Sequence, residues 1–485
     1  MALRKSELFK QGIYAEKMTA RPRLEKLIRR LWPVRTGVAL QRIGGAHDGG
    51  YLIPDDLAGI SACFSPGVDV NASFEHDLRR RHGIDSHLAD YSVEGPPMGF
   101  EPLSFTRKYL GAFDSPMFVT LDTWVRTHDR PQADGDLLLQ MDIEGGEYTT
   151  ILAASEQLLS RFRVICVEIH DVEGWGQPNF FSIVEAFFEK LLRNFHVVHN
   201  HPNNCCGLVD LGGVTAPRVF ELTLLRKDRA ASVGWVTDFP HRLDAANLRG
   251  RPDLHLPQNW YRTEYPIGAD GAPQFRAIDD FLDEIGGLIH IGANTGQECA
   301  LYDSRDLDVL WLEPLREAHR VLQANIRPYP KQRALCHLLT DRDDVPTRFN
   351  IASNGGQSSS ILELAQHRDI WPKIGFVAAR MLSSITLDTL LRREGIPASA
   401  YQALVIDTQG AELLVLRGAE ETLAGVRYVK LEAADFEAYA GCPTLDQLTV
   451  YLRARGFVEM IRHEFARHPS GGRYFDVLFG RAAAA

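Results

Sequence analysis

Asp142-Ile143-Glu144-Gly145-Gly146-Glu147 and Asp407-Thr408-Gln409-Gly410-Ala411-Glu412 share one pattern, Asp-x-Glu/Gln-Gly-x-Glu, written twice in a chain of 485 residues. The repetition extends both ways. Upstream, Thr120-Leu121-Asp122-Thr123 returns as Thr386-Leu387-Asp388-Thr389; downstream, a strand-like run ends in a glutamate at Glu168 and again at Glu432. The offsets, 266 (120 to 386), 265 (142 to 407) and 264 (168 to 432), drift by only a residue at each landmark. A spacing kept that closely is the mark of an internal duplication.

Each copy alternates short β-branched or Leu-rich runs with longer helical stretches, the pattern of βα units around a mainly parallel sheet flanked by helices. In the second copy Leu288 to Ile291, Val309 to Leu312, Ala403 to Ile406 and Tyr428 to Leu431 read as buried strands, with helices over Glu317 to Asn325 and Glu412 to Leu423. Ala62 to Ser65, Leu137 to Met141 and Val164 to Glu168 are their counterparts in the first. From 229 to 275 the periodicity fades into Pro, Asp, Asn and Arg, which reads as a linker. The expected division is a basic helical arm at 1–35, a first domain at 36–255 that includes the linker from about 229, and a second at 256–485.

Composition narrows the class of protein. At 45% hydrophobic and 24% charged, the chain is expected to fold throughout. No apolar run is long enough to span a bilayer, and no signal peptide is evident, so the expected location is cytoplasmic. Seven scattered cysteines suggest reduced thiols. A formal charge of −10 argues against nucleic acid as a partner, because that binding neutralises phosphates with basic groups. Residues 1–35 oppose this balance with ten Lys and Arg against three Glu. The arm is read either as a solvated helix packed on the first domain or as a peripheral membrane contact.

The chemistry begins at a glycine turn. In the second copy the first strand runs into Gly292-Ala293-Asn294-Thr295-Gly296, and Glu313, twenty-one residues after Gly292, closes the next strand. A carboxylate there can accept hydrogen bonds from both hydroxyls of a ribose, so the pair indicates a nucleoside cofactor. The chain has no G-x-G-x-x-G turn for a pyrophosphate, which disfavours a nicotinamide dehydrogenase. S-adenosylmethionine carries no phosphate and needs no such turn. In the first copy the turn is Ser65-Pro66-Gly67-Val68-Asp69, and Asp90 is the candidate ribose acid. With a single glycine left there, the second copy is expected to hold cofactor more tightly.

GANTGQ, WLEP, SSSIL, ITLDTLL, VIDTQGAELLVLRGA and LEAADFEAYAG together resemble the FkbM family of O-methyltransferases over nearly all of 278–480. DGGY, MDIEGGE, VEIH and HNHPNN resemble another branch of that family over about 42–228. The resemblance implies two tandem Rossmann-like (class I methyltransferase) domains that use S-adenosylmethionine to methylate a hydroxyl of a sugar, glycan or natural product. It implies that Gly292, Asn294 and Gly296 line the methionine part, Glu313 the ribose, and that Asp341 sits near the adenine. His290 departs from the family's usual Asp, and Val405 from a frequent Lys.

Methylating an aliphatic hydroxyl requires in-line positioning against the sulfonium and a place for the proton to go. Asp142 and Asp407 at strand ends are the leading bases, with Glu168 and Glu432 one strand away. A carboxylate cluster could also hold a divalent cation that lowers the hydroxyl's pKa. The bland alternative is that these acids cap the following helices. Glu147 and Glu412 fall in a first helical turn, where dipole interactions explain an acid without catalysis. His170 and the run from His199 through His201 to Asn204 offer bases, metal ligands or acceptor contacts, or an ordinary turn. Asp48-Gly49-Gly50-Tyr51 reads equally as a hairpin turn or part of an active site. Two readings stand beside the bifunctional enzyme: one active domain with a scaffolding copy, or a nonenzymatic carbohydrate-binding protein.

Overall fold

Leu137 to Met141 are wholly buried because they face apolar neighbours on both sides: Leu137, Leu139 and Met141 point into one core and Leu138 into another. Leu404 and Ile406 face one core of the second half, and Ala403 and Val405 the other. Strands buried on both faces read as continuous apolar runs and need a layer of structure on each side. A computed structural model describes residues 16–128, 135–262, 264–265 and 273–481. The chain forms two compact units, Met1–Glu264 and Tyr265–Ala485.

The first unit holds a seven-stranded sheet of β1 (Ile60–Pro66), β2 (Ser86–Ala89), β3 (Ser104–Thr106), β4 (Asp136–Met141), β5 (Phe162–Ile169), β6 (Phe195–Pro202) and β7 (Phe220–Arg226), ordered 3-2-1-4-5-7-6. The second repeats this order with β8 (Gly287–Ile291), β9 (Asp308–Leu312), β10 (Gln332–Leu335), β11 (Ala403–Ile406), β12 (Tyr428–Ala434), β13 (Phe457–Arg467) and β14 (Arg473–Arg481). In each sheet six strands run parallel and one, β7 or β14, runs antiparallel between its two neighbours. The order reverses beside β1 and β8, and ligands of open α/β sheets bind at such a switch point, at the carboxyl ends of the strands.

The helix expected over Glu412 to Leu423 forms as two pieces, Glu412–Arg417 and Glu420–Gly425. Gly418 lies between them because a Cβ there would stand 2.1 Å from the Thr340 carbonyl oxygen. The first part of the stretch 229–275 read as linker packs on the first domain: Gly234–Trp235 pairs with Val34–Arg35, and His199 Nε2 stands 2.9 Å from Asp244 Oδ1. Part of the basic arm, 1–15, lies outside the described residues. Arg21–Arg30 is a helix whose Leu24, Leu27 and Ile28 are buried in the first core. Its apolar face is therefore spent inside the protein. Among the described residues no helix is long and apolar enough to cross a membrane. Cys205 and Cys206 are joined by a disulfide, against the expectation of reduced thiols.

The repeated Thr-Leu-Asp-Thr phrase is a structural joint. Thr120 N–H donates to Asp114 at 2.7 Å and Thr386 N–H to Asp343 at 2.7 Å, while the hydroxyls of Thr123 and Thr389 reach the same acids at 2.8 Å. Asp122 accepts the Ser155 N–H at 2.8 Å, and Asp388 accepts those of Glu421 and Thr422 at 2.8 and 2.9 Å. Each aspartate thus ties its helix to the start of another. Asp388→Ala is expected to cost about 1–2 kcal/mol, the usual cost of a lost cap. An unchanged urea midpoint for the second domain's transition would contradict that role.

Candidate functional site

In both domains the turn after the first strand has one backbone shape. Gly67 and Gly292 take φ of +82° and +83°, and a Cβ added there would stand 1.5 Å from the Asp142 carbonyl oxygen or 1.7 Å from that of Asp407. Glycine is required because the turn passes directly over the end of the fourth strand. Two residues later Asp69 and Asn294 both adopt φ of +43°. Their N–H groups donate to Asp90 Oδ2 at 2.9 Å and to Glu313 Oε2 at 2.8 Å. The other oxygen of each acid accepts the N–H of the residue two further on, Ser92 or Leu315, at 2.8 Å. Asp90 and Glu313 are therefore structural equivalents at the lip of the turn. Burial pushes Glu313 up to about 7.

A cavity of about 590 Å³ opens in the first domain between this turn and Asp142, Glu144 and Asp90, with Tyr109 and Phe118 on another wall. Asp48 and Gly49 also line it, and they form the turn of a hairpin, Leu40–Gly44 with Gly50–Pro54. The second domain splits the space. A slot of only about 40 Å³ lies between Gly292, Asn294, Glu313 and Phe349; beside it a polar cavity of about 490 Å³ is walled by Glu298, Asp407, Glu432, Trp371 and Phe465. The two share Gly292, Asn294, Gln357, Asp407 and Gln409. Asp341 lines neither, and its carboxylate lies 4.0 Å from Arg342. Gly296 packs against Leu322.

The fourth and fifth strands bring the acid pairs together. Asp142 follows the fourth strand directly beside Glu168 on the fifth, close enough for the charge of one to bear on the other. Burial and then the Glu168 charge raise Asp142 well above the usual carboxylate range, while burial and Glu221 raise Glu168. In the second domain the Gln409 amide bridges the pair, donating to Asp407 at 2.6 Å and to Glu432 at 3.3 Å; its own oxygen accepts the Tyr439 hydroxyl at 2.6 Å. Burial raises Asp407 to about 7. Glu144 and Gln409, at φ of +52° and +53°, occupy matching positions but differ in role. Glu144 extends to solvent, 86% exposed, toward His170.

His170 Nδ1 lies 3.1 Å from Glu147, and Nε2 lies 3.4 Å from Glu144 and 3.8 Å from Asp142. Burial works against its charge, but Glu147, Asp142 and Glu144 outweigh it and hold the imidazole above its ordinary pKa. Donor atoms of Asp142, Glu147 and His170 come within 4.8 Å of one another, the one such grouping among the described residues; the ion pairing just described joins all three. Glu147 and Glu412 accept the N–H groups of Ile143 at 3.1 Å and Thr408 at 3.0 Å, which locks the loop after the fourth strand. His201 faces Asp253 at 3.4 Å, and burial lowers its pKa. His290 is buried against Trp311 and bonded to Tyr302 at 3.0 Å; burial brings it to about 3, so it stays neutral.

Two acids escaped the sequence reading. Glu221 on β7 and Asp476 on β14 are the cross-strand partners of Glu168 and Glu432. A lone acid inside FELTLLR and YFDVLFG was the available signal.

A family model described as "Methyltransferase FkbM domain" matches residues 71–195 and 290–459. Among solved structures the chain is similar to an rRNA methylase from Streptococcus thermophilus, at 11% identity over 42% of this chain and 93% of that one, with a TM-score of 0.25. It is similar to M. capricolum TrmK, solved with S-adenosyl-homocysteine, at 5% identity over 43% and 68%, TM-score 0.25. It is also similar to NcsB1, an O-methyltransferase from neocarzinostatin biosynthesis solved with S-adenosylmethionine and 2-hydroxy-5-methyl naphthoic acid, at 11% identity over 41% and 50%, TM-score 0.24. No curated protein matches the chain.

Proposed function

The chain belongs to the FkbM methyltransferase family, and from that premise we propose that both domains transfer the methyl group of S-adenosylmethionine to a hydroxyl of a sugar, glycan or natural-product acceptor. One observation carries the cofactor: in each domain an acid at the end of the second strand, Asp90 or Glu313, bonds the N–H of a glycine turn that overlies Asp142 or Asp407. A ribose diol on that acid puts the sulfonium end of the ligand toward the fourth-strand aspartate. The aspartate takes the acceptor's proton as the oxygen attacks the methyl carbon in line. The acceptor lies against Asp407, Glu432 and Trp371 in the second domain and in the space beyond Asp142 in the first. Among the described residues neither Lys nor Arg lines the 490 Å³ cavity, which favours uncharged acceptors over phosphate-bearing ones in the second domain. Incubating the full chain with radiolabelled S-adenosylmethionine and a panel of glycosides, polyols and phenols tests the reading. Label on a hydroxyl is expected; transfer only to nitrogen or to RNA would overturn it.

The small second-domain slot supports another reading, in which only the first domain is active. Small-molecule sites run to about 300–1,000 Å³, and the slot reaches that size only if the segment near Phe349 yields or the ligand enters the neighbouring cavity.

Affinity in the second domain is expected to depend on pH through Glu313. The ribose hydroxyls bond the charged carboxylate, and burial raises that group to about 7, so binding is linked to loss of its proton. Affinity should be flat above pH 8 and about tenfold weaker at pH 6 than at its plateau. Glu313→Ala should remove the dependence together with two charge-assisted bonds of about 1.5–3 kcal/mol each. Calorimetry at pH 6, 7 and 8 checks both; a slope that survives the substitution assigns the proton elsewhere.

A further inference from the structure

Across the carboxyl end of each sheet runs a row of ionisable side chains, one from each of four adjacent strands. In the second domain Asp407 follows β11, Glu432 lies beside it on β12, Asp476 is the register partner of Glu432 on β14, and His463 is that of Asp476 on β13. Register partners on one face stand with Cβ atoms about 5 Å apart. His463 Nδ1 is 4.0 Å from Asp476 Oδ2, and the imidazole is 64% exposed. The row therefore begins in the acceptor cavity and ends in solvent.

The first domain repeats it as Asp142, Glu168, Glu221 and His201, with Glu168 opposite Glu221 and Glu221 opposite His201. There the histidine leads on to Asp253, itself 31% exposed. Buried like charges are costly without a cation to pair them. Two sheets of one ancestry keeping acid, acid, acid and histidine on the same four strands indicates a use for the row as a whole.

We propose that Asp407, Glu432, Asp476 and His463 form the proton exit of the second domain's methyl-transfer site, with the corresponding row serving the first. The inference rests on the hydroxyl-methylation reading above. When the acceptor oxygen bonds to the methyl carbon, the carbon–sulfur bond breaks and its electron pair stays on sulfur as a neutral thioether. The hydroxyl proton is then left over, one per turnover, and Asp407 receives it. The proton then leaves sideways through Glu432 and Asp476 to His463 and the solvent. Burial raises both Glu432 and Asp476, so each holds a proton more readily than an exposed acid does. The other charged groups facing this row are Glu412, Glu298, Lys430 and Asp279, and the last two pair with each other at 2.7 Å.

The test uses the full chain carrying Asp142→Asn to silence the first domain, with Asp476→Asn or His463→Ala added, in dilute buffer. Each addition is expected to lower kcat roughly fivefold or more with KM unchanged, to flatten the pH profile and to enlarge the solvent deuterium effect. Added imidazole should restore the His463→Ala variant, which rescue of a merely structural defect would not do. Wild-type kcat and pH profile in both variants, or a loss indifferent to imidazole, overturns the exit. A parent protein that methylates no hydroxyl refutes the hydroxyl reading instead. In that event the row is still read by NMR titration of labelled His463, whose curve Asp407→Asn should displace. An unmoved midpoint overturns the coupling.

Discussion

Replacing Gly292 by alanine is expected to abolish cofactor binding in the second domain, weakening it by at least about 100-fold, the scale on which a displacement near 1 Å acts at a reacting site. The added Cβ would lie 1.7 Å from the carbonyl oxygen and 2.7 Å from the carbonyl carbon of Asp407, at a φ of +83°. Neither contact involves the end of a flexible side chain. The turn or the end of β11 must retreat, and either movement separates the Asn294 N–H from Glu313 and shifts Asp407. The φ alone costs about 1 kcal/mol for a residue with a Cβ. Gly67→Ala should do the same to the first domain, where the distance is 1.5 Å. Calorimetry on the full chain reads each substitution as the loss of one binding event; two undiminished events would show that these turns do not hold the cofactor.

The second large effect is on chemistry. Asp142→Asn together with Asp407→Asn is expected to lower turnover by about 10²–10⁴, the usual contribution of a positioned base, while cofactor affinity changes little. The amide matches the carboxylate in shape and cannot take a proton. The sign of the pH dependence follows from burial. Asp407 is raised to about 7 and serves as a base only once deprotonated, so second-domain turnover should climb from pH 6 and level off above about pH 8. In Asp407→Asn that limb disappears. A double variant that turns over at the wild-type rate removes both aspartates from the mechanism.

Much of the fold was legible because duplication supplies its own control: a strand assigned in one copy is checked against the other. The buried central strands were found for the same reason, since Leu137 to Leu139 and Ala403 to Ile406 are apolar on both faces. The last two strands of each sheet were harder. β6 mixes His196, His199 and His201 with valines, and half of β13 is exposed, so neither shows a clean alternation. The site was half legible. Asp90 and Glu313 emerged from their distance to a glycine, and Asp142 and Asp407 from a repeated phrase. Glu221, Asp476 and His463 become neighbours only through antiparallel pairing, which no local spacing encodes.

Glycine count does not by itself set the backbone shape of the two turns. Asp69 and Asn294 adopt the same left-handed conformation without glycine, and Asn71, which stands where the second domain has Gly296, does not need that region at all. The turn expected to bind more tightly on glycine content is also the one with the smaller slot. His290, a departure from the family pattern, is absorbed by a neutral contact with Tyr302 and Trp311 rather than left as a charge facing the cofactor.

The most direct measurement is the number of S-adenosylmethionine molecules bound by the full chain, by calorimetric titration at pH 8 with protein concentration fixed independently. Two methyltransferase domains of one geometry predict two equivalents per chain, the second-domain event alone weakening toward pH 6. One equivalent would contradict the paired enzyme and leave a single active domain beside a scaffold; none at millimolar cofactor would contradict the account as a whole.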